Sequence, residues 1–236
     1  MNIAIGVGQN KDILKACKDF KIKYDADISL IYNDDDLVNA ILDKNTDAVI
    51  RGSLPASTVI KQVKKHYPEI SRATYVNGAG REFLLTPVGI DEGNTLDEKL
   101  NIAINCGEFL KRLKKEPKIA VLADGRKGDY GRSKTISKSI EDSEKLTELI
   151  KQNTDFEVEN YYILIEQALN DRCNVIIAPN GIIGNIIFRT LVLVNSWPSC
   201  GAVTFGIDGI YIDTSRDQTK EGYLRSLILA HNLAKL

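Results

Sequence analysis

The chain of 236 residues is poor in the side chains on which metal and redox chemistry depends. It has only two histidines and four cysteines. His66 precedes Tyr67-Pro68 at a predicted helix end, and His231 follows Leu227 and Ile228 at helical spacing, so both read as structural. Cys17, Cys106, Cys173 and Cys200 are scattered without paired spacing, which predicts reduced thiols rather than a disulfide framework. No Cys/His cluster has zinc-site spacing, and no metal held by the protein is expected. Excess charge is missing too. Lys and Arg number 31 against 32 Asp and Glu, so no basic field draws the chain to nucleic acid or anionic lipid. Long apolar runs are absent: Ile182–Val194 is broken by Asn185 and Arg189 and falls short of the roughly 20 residues that span a bilayer. Met1-Asn2 passes directly into the strand-like Ile3–Val7, with no basic region or cleavage site, and the expected location is the cytoplasm.

What is present is an alternation of strand-like and helix-like segments from one end to the other. Strands are predicted at 3–7, 28–32, 47–51, 73–76, 83–86, 118–123, 174–178, 202–206 and 210–213. The intervening helical patterns of ten or more residues favour an α/β fold on a mostly parallel sheet. The clearest helix is 96–114: Thr95 and Glu98 have capping-box spacing, and Leu96, Leu100, Ala103, Gly107 and Leu110 recur at helical intervals. Pro117 stops it, and it reads as a connector between two subdomains, 1–105 joined by 202–236, and 106–201. Asn185–Val194 is apolar on nearly every face, which predicts a buried helix. Gly184, at its start, would allow a chain segment or a ligand to come close, and the helix start would offer N–H groups to an anion.

Three segments could carry chemistry. Gly6-Val7-Gly8 follows a strand, but Lys11 stands where the third glycine of a dinucleotide fingerprint belongs, so a tight strand-to-helix turn is the better reading. Asp124–Arg132 follows another strand with three glycines and three cations. It reads either as a phosphate cradle containing Arg126, Lys127 and Gly128, or as a solvated loop. Asp213-Thr214-Ser215-Arg216-Asp217 lies between the last strand and the last helix. A hydroxyl beside a guanidinium suits an oxyanion or a phosphate; the competing reading is a helix cap with a surface arginine.

Five segments, in order along the chain, resemble the phosphate acetyl- and butyryltransferases, most clearly the butyryl type. Asp47–Gly52 looks like that family's strand ending in a Lys-Gly turn. Thr86–Ala103, TPVGIDEGNTLDEKLNIA, resembles its TDAAMNIAPTLEEKAQII. Pro117–Leu122 is similar to the next strand. Pro179–Arg189, PNGIIGNIIFR, resembles PDIEAGNVLYK and retains Gly184 and Asn185. Ile212–Ala230 is similar to VLTSRADSAEAKLYSIALA and retains Thr214, Ser215, Arg216 and Glu221. Closer still is a resemblance to the MtxX proteins of methanogenic archaea, an offshoot of that superfamily labelled as methyltransferases or methanogenesis markers.

The resemblance implies two α/β subdomains sharing a mostly parallel sheet, as in isocitrate and isopropylmalate dehydrogenases, with a cleft between them and a homodimer. It implies transfer of an acyl group between phosphate and coenzyme A, both as substrates, with no tightly bound cofactor. Ser215 would stabilise the tetrahedral intermediate and Arg216 would hold phosphate or carbonyl oxygen. Gly184, Asn185 and Thr214 would line the site, and Arg126-Lys127-Gly128 resembles the acetyl-type enzymes' Thr-Lys-Gly loop. The chain departs from the family at Asn180, where an aspartate is usual, and around Asp217, Gln218 and Glu221, which do not reproduce its acidic position. Three functions therefore stand side by side: a transferase acting on a phosphorylated or coenzyme A-linked metabolite, a methyl-transfer protein of methanogenesis, and a binding protein without catalysis. No S-adenosylmethionine loop or corrinoid-binding histidine pattern is readable.

Overall fold

Along β1 (Asn2–Gly6) successive side chains point to opposite sides, and both sides are apolar. Ile3 and Ile5 join one buried cluster with Phe20, Ile50, Ile212 and Tyr223. Ala4 joins another with Leu37, Val49, Val59 and Tyr211. A strand buried on both faces belongs inside a sheet covered by helices on both sides. The computed structural model, which describes residues 1–236, shows that arrangement.

The chain forms two compact units. Met1–Ile70 with Ser199–Leu236 is the first, and Ser71–Pro198 is the second. In the first, the strand order is β2 (Asp27–Ile31), β1, β3 (Ala48–Ile50), β10 (Tyr211–Asp213), β9 (Ser199–Phe205). All neighbours are parallel except β10 and β9. Helix α1 (Asp12–Lys23) packs with α8 (Lys220–Leu233) on one face, and α2 (Asp34–Leu42) packs with α3 (Ala56–His66) on the other.

In the second unit the order is β4 (Ser71–Gly78), β5 (Arg81–Thr86), β8 (Val175–Ile177), β6 (Lys118–Leu122), β7 (Glu157–Tyr162). Only the β4–β5 hairpin is antiparallel. Helix α4 (Leu96–Arg112) packs with α5 (Lys134–Asn153), while α6 (Ile165–Asn170) contacts β7 and α7 (Gly181–Phe188) contacts β5. Thr95 caps α4, its Oγ1 accepting from the Glu98 N–H at 3.1 Å, while the Glu98 carboxylate accepts from the Asn94 N–H at 2.8 Å, one residue before the place the capping-box spacing predicts.

The structure departs from the sequence expectations in three places. The first boundary falls at 70/71 rather than 105/106, because β5 pairs with β8 and α4 packs on β8 and β6, which ties residues 71–105 to the second sheet. Strand β7 is unpredicted: in Glu-Val-Glu-Asn-Tyr-Tyr only Val158 is buried, as suits an edge strand with no hydrophobic stripe. Of the apolar 185–194 segment only Val192 is buried. Ile182 and Ile186 are 57% and 56% exposed and Val194 is 80% exposed. An all-round apolar helix signals burial only when the chain itself supplies the cover, and here one side of α7 and the π-helical turn after it (Arg189–Val194) is left bare. No helix is long and apolar enough to cross a membrane.

Candidate functional site

In parallel α/β sheets, ligands gather at the carboxyl ends of strands where neighbouring connections leave in opposite directions. In the first unit that point lies between β1 and β3. The chain leaves β1 toward α1 on one face and leaves β3 toward α3 on the other. The two strand ends run very close together: a Cβ on Gly8 would overlap the Ser53 carbonyl oxygen, which gives the glycine of the Gly6-Val7-Gly8 turn its physical reason. Ser53 Oγ accepts from the Gly8 N–H at 2.8 Å and donates to the Asn10 carbonyl at 3.0 Å.

The Thr214–Arg216 segment extends β10 along this same edge, and its backbone is tied down from several directions. Arg51, buried at the end of β3, donates to the Asp213 carboxylate and to the carbonyls of Leu54 and Thr214. Thr214 Oγ1 donates to the Gly52 carbonyl at 2.7 Å. Asn10 Nδ2 donates to the carbonyls of Arg216 (3.1 Å) and Gln218 (2.9 Å). Tyr223 Oη donates to the carbonyls of Ser215 (3.2 Å) and Arg216 (3.1 Å). Burial pushes the Tyr223 hydroxyl up to about 12, against the opposing pull of Arg51, so it remains a donor at neutral pH.

These bonds hold main chain and leave the two side-chain heads available. Ser215 is half-buried and Arg216 is exposed. Ser215 Oγ accepts from the Asp217 N–H at 3.3 Å, which leaves its own hydrogen to donate. The helix-cap reading of Ser215 does not match the geometry, because Thr219 caps α8, accepting from the Gly222 N–H at 3.2 Å. Thr214 is buried and helps to place the other two.

In the second unit the connections diverge between β6 and β8: α5 leads toward β7, whereas α7 packs on β5. The loop after β6 carries Arg126, Lys127 and Gly128, all exposed. Asp129 organises it, accepting from the Arg126 N–H and from Arg132 Nη1, both at 2.8 Å. Ser139 Oγ accepts from the Asp124 N–H at 3.0 Å. Arg132 is thereby paired, and Arg126 and Lys127 supply the loop's remaining positive charge.

The turn after β8 is closed by the chain itself. Asn180 Oδ1 accepts from the N–H groups of Ile182 and Ile183, both at 3.0 Å, so the α7 donors expected for an anion are already occupied. Close packing fills the space beside Gly184, where a Cβ would overlap the Pro87 carbonyl oxygen. Asn185 Nδ2 donates to the Val88 carbonyl at 2.9 Å. Gly184 and Asn185 thus fasten α7 to residues 87–88. Beside them lies a residue the sequence reading passed over. Half-buried Lys99 reaches from α4 to the Pro179 carbonyl at 2.9 Å, and burial lowers its pKa while Asp142 and Asp124 oppose that shift. Arg51, Asn10 and Tyr223 were likewise not singled out, though a charged residue ending the apolar run Ala48-Val49-Ile50 was a readable sign for Arg51.

The chain matches no family model. It is 38% identical over 236 residues to a Methanocaldococcus jannaschii protein named an uncharacterized methyltransferase, covering 95% of this chain and 94% of that one. It is 36% identical over 203 residues to a Methanosarcina mazei protein named as methyltransferase mtx subunit X, an activity that name leaves provisional, covering 85% of this chain and 71% of the relative. Among solved structures, a branched-chain phosphotransacylase from Enterococcus faecalis superposes with a TM-score of 0.73 at 17% identity, covering 99% of both chains. That likeness shows the fold. The sequence relatives show the family, and the chain belongs to the mtx subunit X family of methanogens, built on the phosphotransacylase fold.

Proposed function

We propose that the chain is a transferase of the phosphate acyltransferase type, moving an acyl group between phosphate and the thiol of coenzyme A or a related carrier. The observation that carries this reading is the Ser215–Arg216 pair. Its backbone is fixed by Arg51, Asn10 and Tyr223 at the carboxyl edge beside the β1/β3 divergence, and its two polar heads remain available.

In the proposed reaction the thiol, of ordinary pKa about 8.5, loses its proton to solvent or a base and its sulfur attacks the acyl phosphate carbon. A C–S bond forms and the carbonyl oxygen becomes an oxyanion, to which Ser215 Oγ donates. The oxyanion collapses, the C–O bond to phosphate breaks, and the leaving phosphate is held by the two-donor fork of Arg216. Arg126, Lys127 and Gly128 are assigned phosphate groups of the same substrate class. Coenzyme A and phosphate are substrates in this scheme, not resident cofactors. Reduced thiols, none of them in a disulfide, suit a cytoplasmic setting. The bare side of α7, with Ile182 and Ile186, would be covered by a second copy in the homodimer that the acyltransferase resemblance implies. Sedimentation of Ile186→Asp against the parent protein tests that pairing.

Methyl transfer is the second reading, favoured by the names of the relatives. A thermal-shift screen with acetyl phosphate, butyryl phosphate, coenzyme A, S-adenosylmethionine and corrinoids separates the two. A ligand at 100 times its dissociation constant adds about 2.7 kcal/mol of stability. Stabilisation by coenzyme A and acyl phosphate, followed by turnover, supports acyl transfer. Stabilisation by corrinoid or S-adenosylmethionine alone overturns it, and binding of coenzyme A without turnover makes the chain a binding protein.

A further inference from the structure

The opposite, amino-terminal edge of the second unit's sheet holds a recess of about 300 Å³ that the proposed reaction does not use. Its walls include Phe83, Leu84, Leu110 and the Tyr75 ring. The charged residues lining it are Arg81, Lys115, Arg172 and Glu82, three cations against one carboxylate. Lys115 is satisfied within the wall, donating to Glu82 at 2.5 Å and to Tyr75 Oη at 2.7 Å. The two guanidiniums have no carboxylate partner. Each is steadied by one neutral acceptor, Arg81 by Asn170 Oδ1 at 3.0 Å and Arg172 by the Gly80 carbonyl at 2.8 Å. Their remaining N–H groups have no partner in the chain.

A neighbouring recess of about 370 Å³ shares Arg172 and Asn174 and provides the contrast. There Lys111 pairs with Asp155 and Lys118 with Glu157, both at 2.7 Å. The second recess sets Lys111, Lys118 and Arg172 against Glu116, Asp155 and Glu157, so an excess of positive charge is found in the first recess and not in its neighbour. Arg172 also stands in the left-handed region at φ 64°, just after α6, where glycine or asparagine is usual. An arginine kept in that conformation costs stability that glycine would not, and such strain collects at binding sites.

We infer that this recess binds a small organic anion: an oxyanion head between Arg81 and Arg172, and an organic body beside the Tyr75 ring and the aliphatic stem of Lys115, over a floor backed by the buried Phe83, Leu84 and Leu110. Two guanidinium forks suit a carboxylate or a phosphate monoester, and the volume is that of a small-metabolite pocket.

Calorimetric titration of the full chain with benzoate, phenyl phosphate and benzyl alcohol tests the inference. One saturable site is expected for at least one of the two anions, and the stronger identifies the head group; the neutral alcohol should not bind. Arg81→Gln and Arg172→Gln should each weaken binding by about tenfold or more, the loss of one charge-assisted hydrogen bond. Arg172→Gly should raise the melting temperature and still lose the anion, a combination that a purely structural arginine would not give. Arg216→Gln should leave binding unchanged, which separates this recess from the proposed transferase site. Absence of saturable binding, equal binding of benzyl alcohol, or full affinity in both glutamine variants overturns it.

Discussion

The carboxyl edges of the two units each carry a candidate loop, after β10 in the first and after β6 in the second, and hold it in different ways. Thr214–Arg216 is gripped by Arg51, Gly52 and Asn10, 162 to 206 residues away in sequence, and by Tyr223 from the next helix, with buried Arg51 at the centre. The 124–132 loop is held by Asp129 across three residues and by Ser137 and Ser139 at the start of the next helix. A loop held by long-range buried bonds keeps its geometry as long as the unit is folded. One held by local exposed bonds can shift at little cost and adapt to a bound group. The first arrangement suits a group that must meet a transition state in one place; the second suits a phosphate cradle.

The largest expected effect lies in that grip. Arg51→Gln leaves the Asp213 carboxylate without its guanidinium, and breaking a buried pair from one side costs about 3–5 kcal/mol. Asp129→Asn, at the exposed counterpart, should cost no more than about 1 kcal/mol. Urea unfolding of both variants measures the contrast, and equal losses would erase it. Arg51→Gln/Asp213→Asn should recover part of the loss, because the uncompensated charge is then gone.

Next come the two heads themselves. Ser215→Ala should keep the parent stability and lower turnover with acyl phosphate by the about 2.7–4 kcal/mol that a missing oxyanion donor costs. Arg216→Lys should not substitute, since an ammonium lacks the planar fork. Thr219→Ala, which removes the true α8 cap, should show the reverse pattern: about 1 kcal/mol of stability lost and kinetics unchanged. If Ser215→Ala instead lowers the melting point and spares turnover, the rigid edge is structural only.

A smaller effect belongs to the second unit. Gly184→Val drives a side chain into the Pro87 carbonyl, and overpacking of that kind costs about 1–3 kcal/mol. Because Gly184 fastens α7 rather than opening a path for a ligand, the loss should appear in thermal melts. Unchanged stability with reduced ligand affinity would return Gly184 to the site.

The alternating β/α pattern made the fold readable, because β1, β3, β6 and β8 are buried on both faces and leave continuous apolar runs. β7 escaped notice because an edge strand needs hydrogen bonds on one side and little hydrophobic surface. The Ser215-Arg216 pair was readable from its residues and from the family resemblance. Its support was not. Asn10 and Arg51 act through backbone carbonyls far away in sequence, and Tyr223 through carbonyls seven and eight residues before it, and no motif spacing reports such bonds. The α7 segment shows the opposite failure: its composition announces burial, but composition cannot say whether the cover comes from the same chain.

The smallest expected effect is a pH dependence confined to the first unit, which contains both histidines; the second has none. His66 is exposed, whereas His231 is 3% exposed and edge-on to the rings of Phe20 and Tyr24, where α8 meets α1. Its Nδ1 has no hydrogen-bond partner. Burial lowers its pKa below the ordinary 6.5, and Lys235 and the N-terminal amine push the same way. The folded chain therefore prefers neutral imidazole, while the unfolded chain takes a proton near pH 6.5. The stabilisation is fully present above that value. It is lost as the pH falls below 6.5, until the folded-state imidazole itself protonates. Histidine-to-phenylalanine replacement, His231→Phe, keeps the ring packing and removes the titration. Stability measured between pH 7.5 and pH 5 should decline less in that variant than in the parent protein, and hydrogen exchange should place the difference in α1 and α8. A parallel decline in the two proteins, or protection lost first from α4 and α5, would assign the acid sensitivity to carboxylates and remove His231 from the comparison.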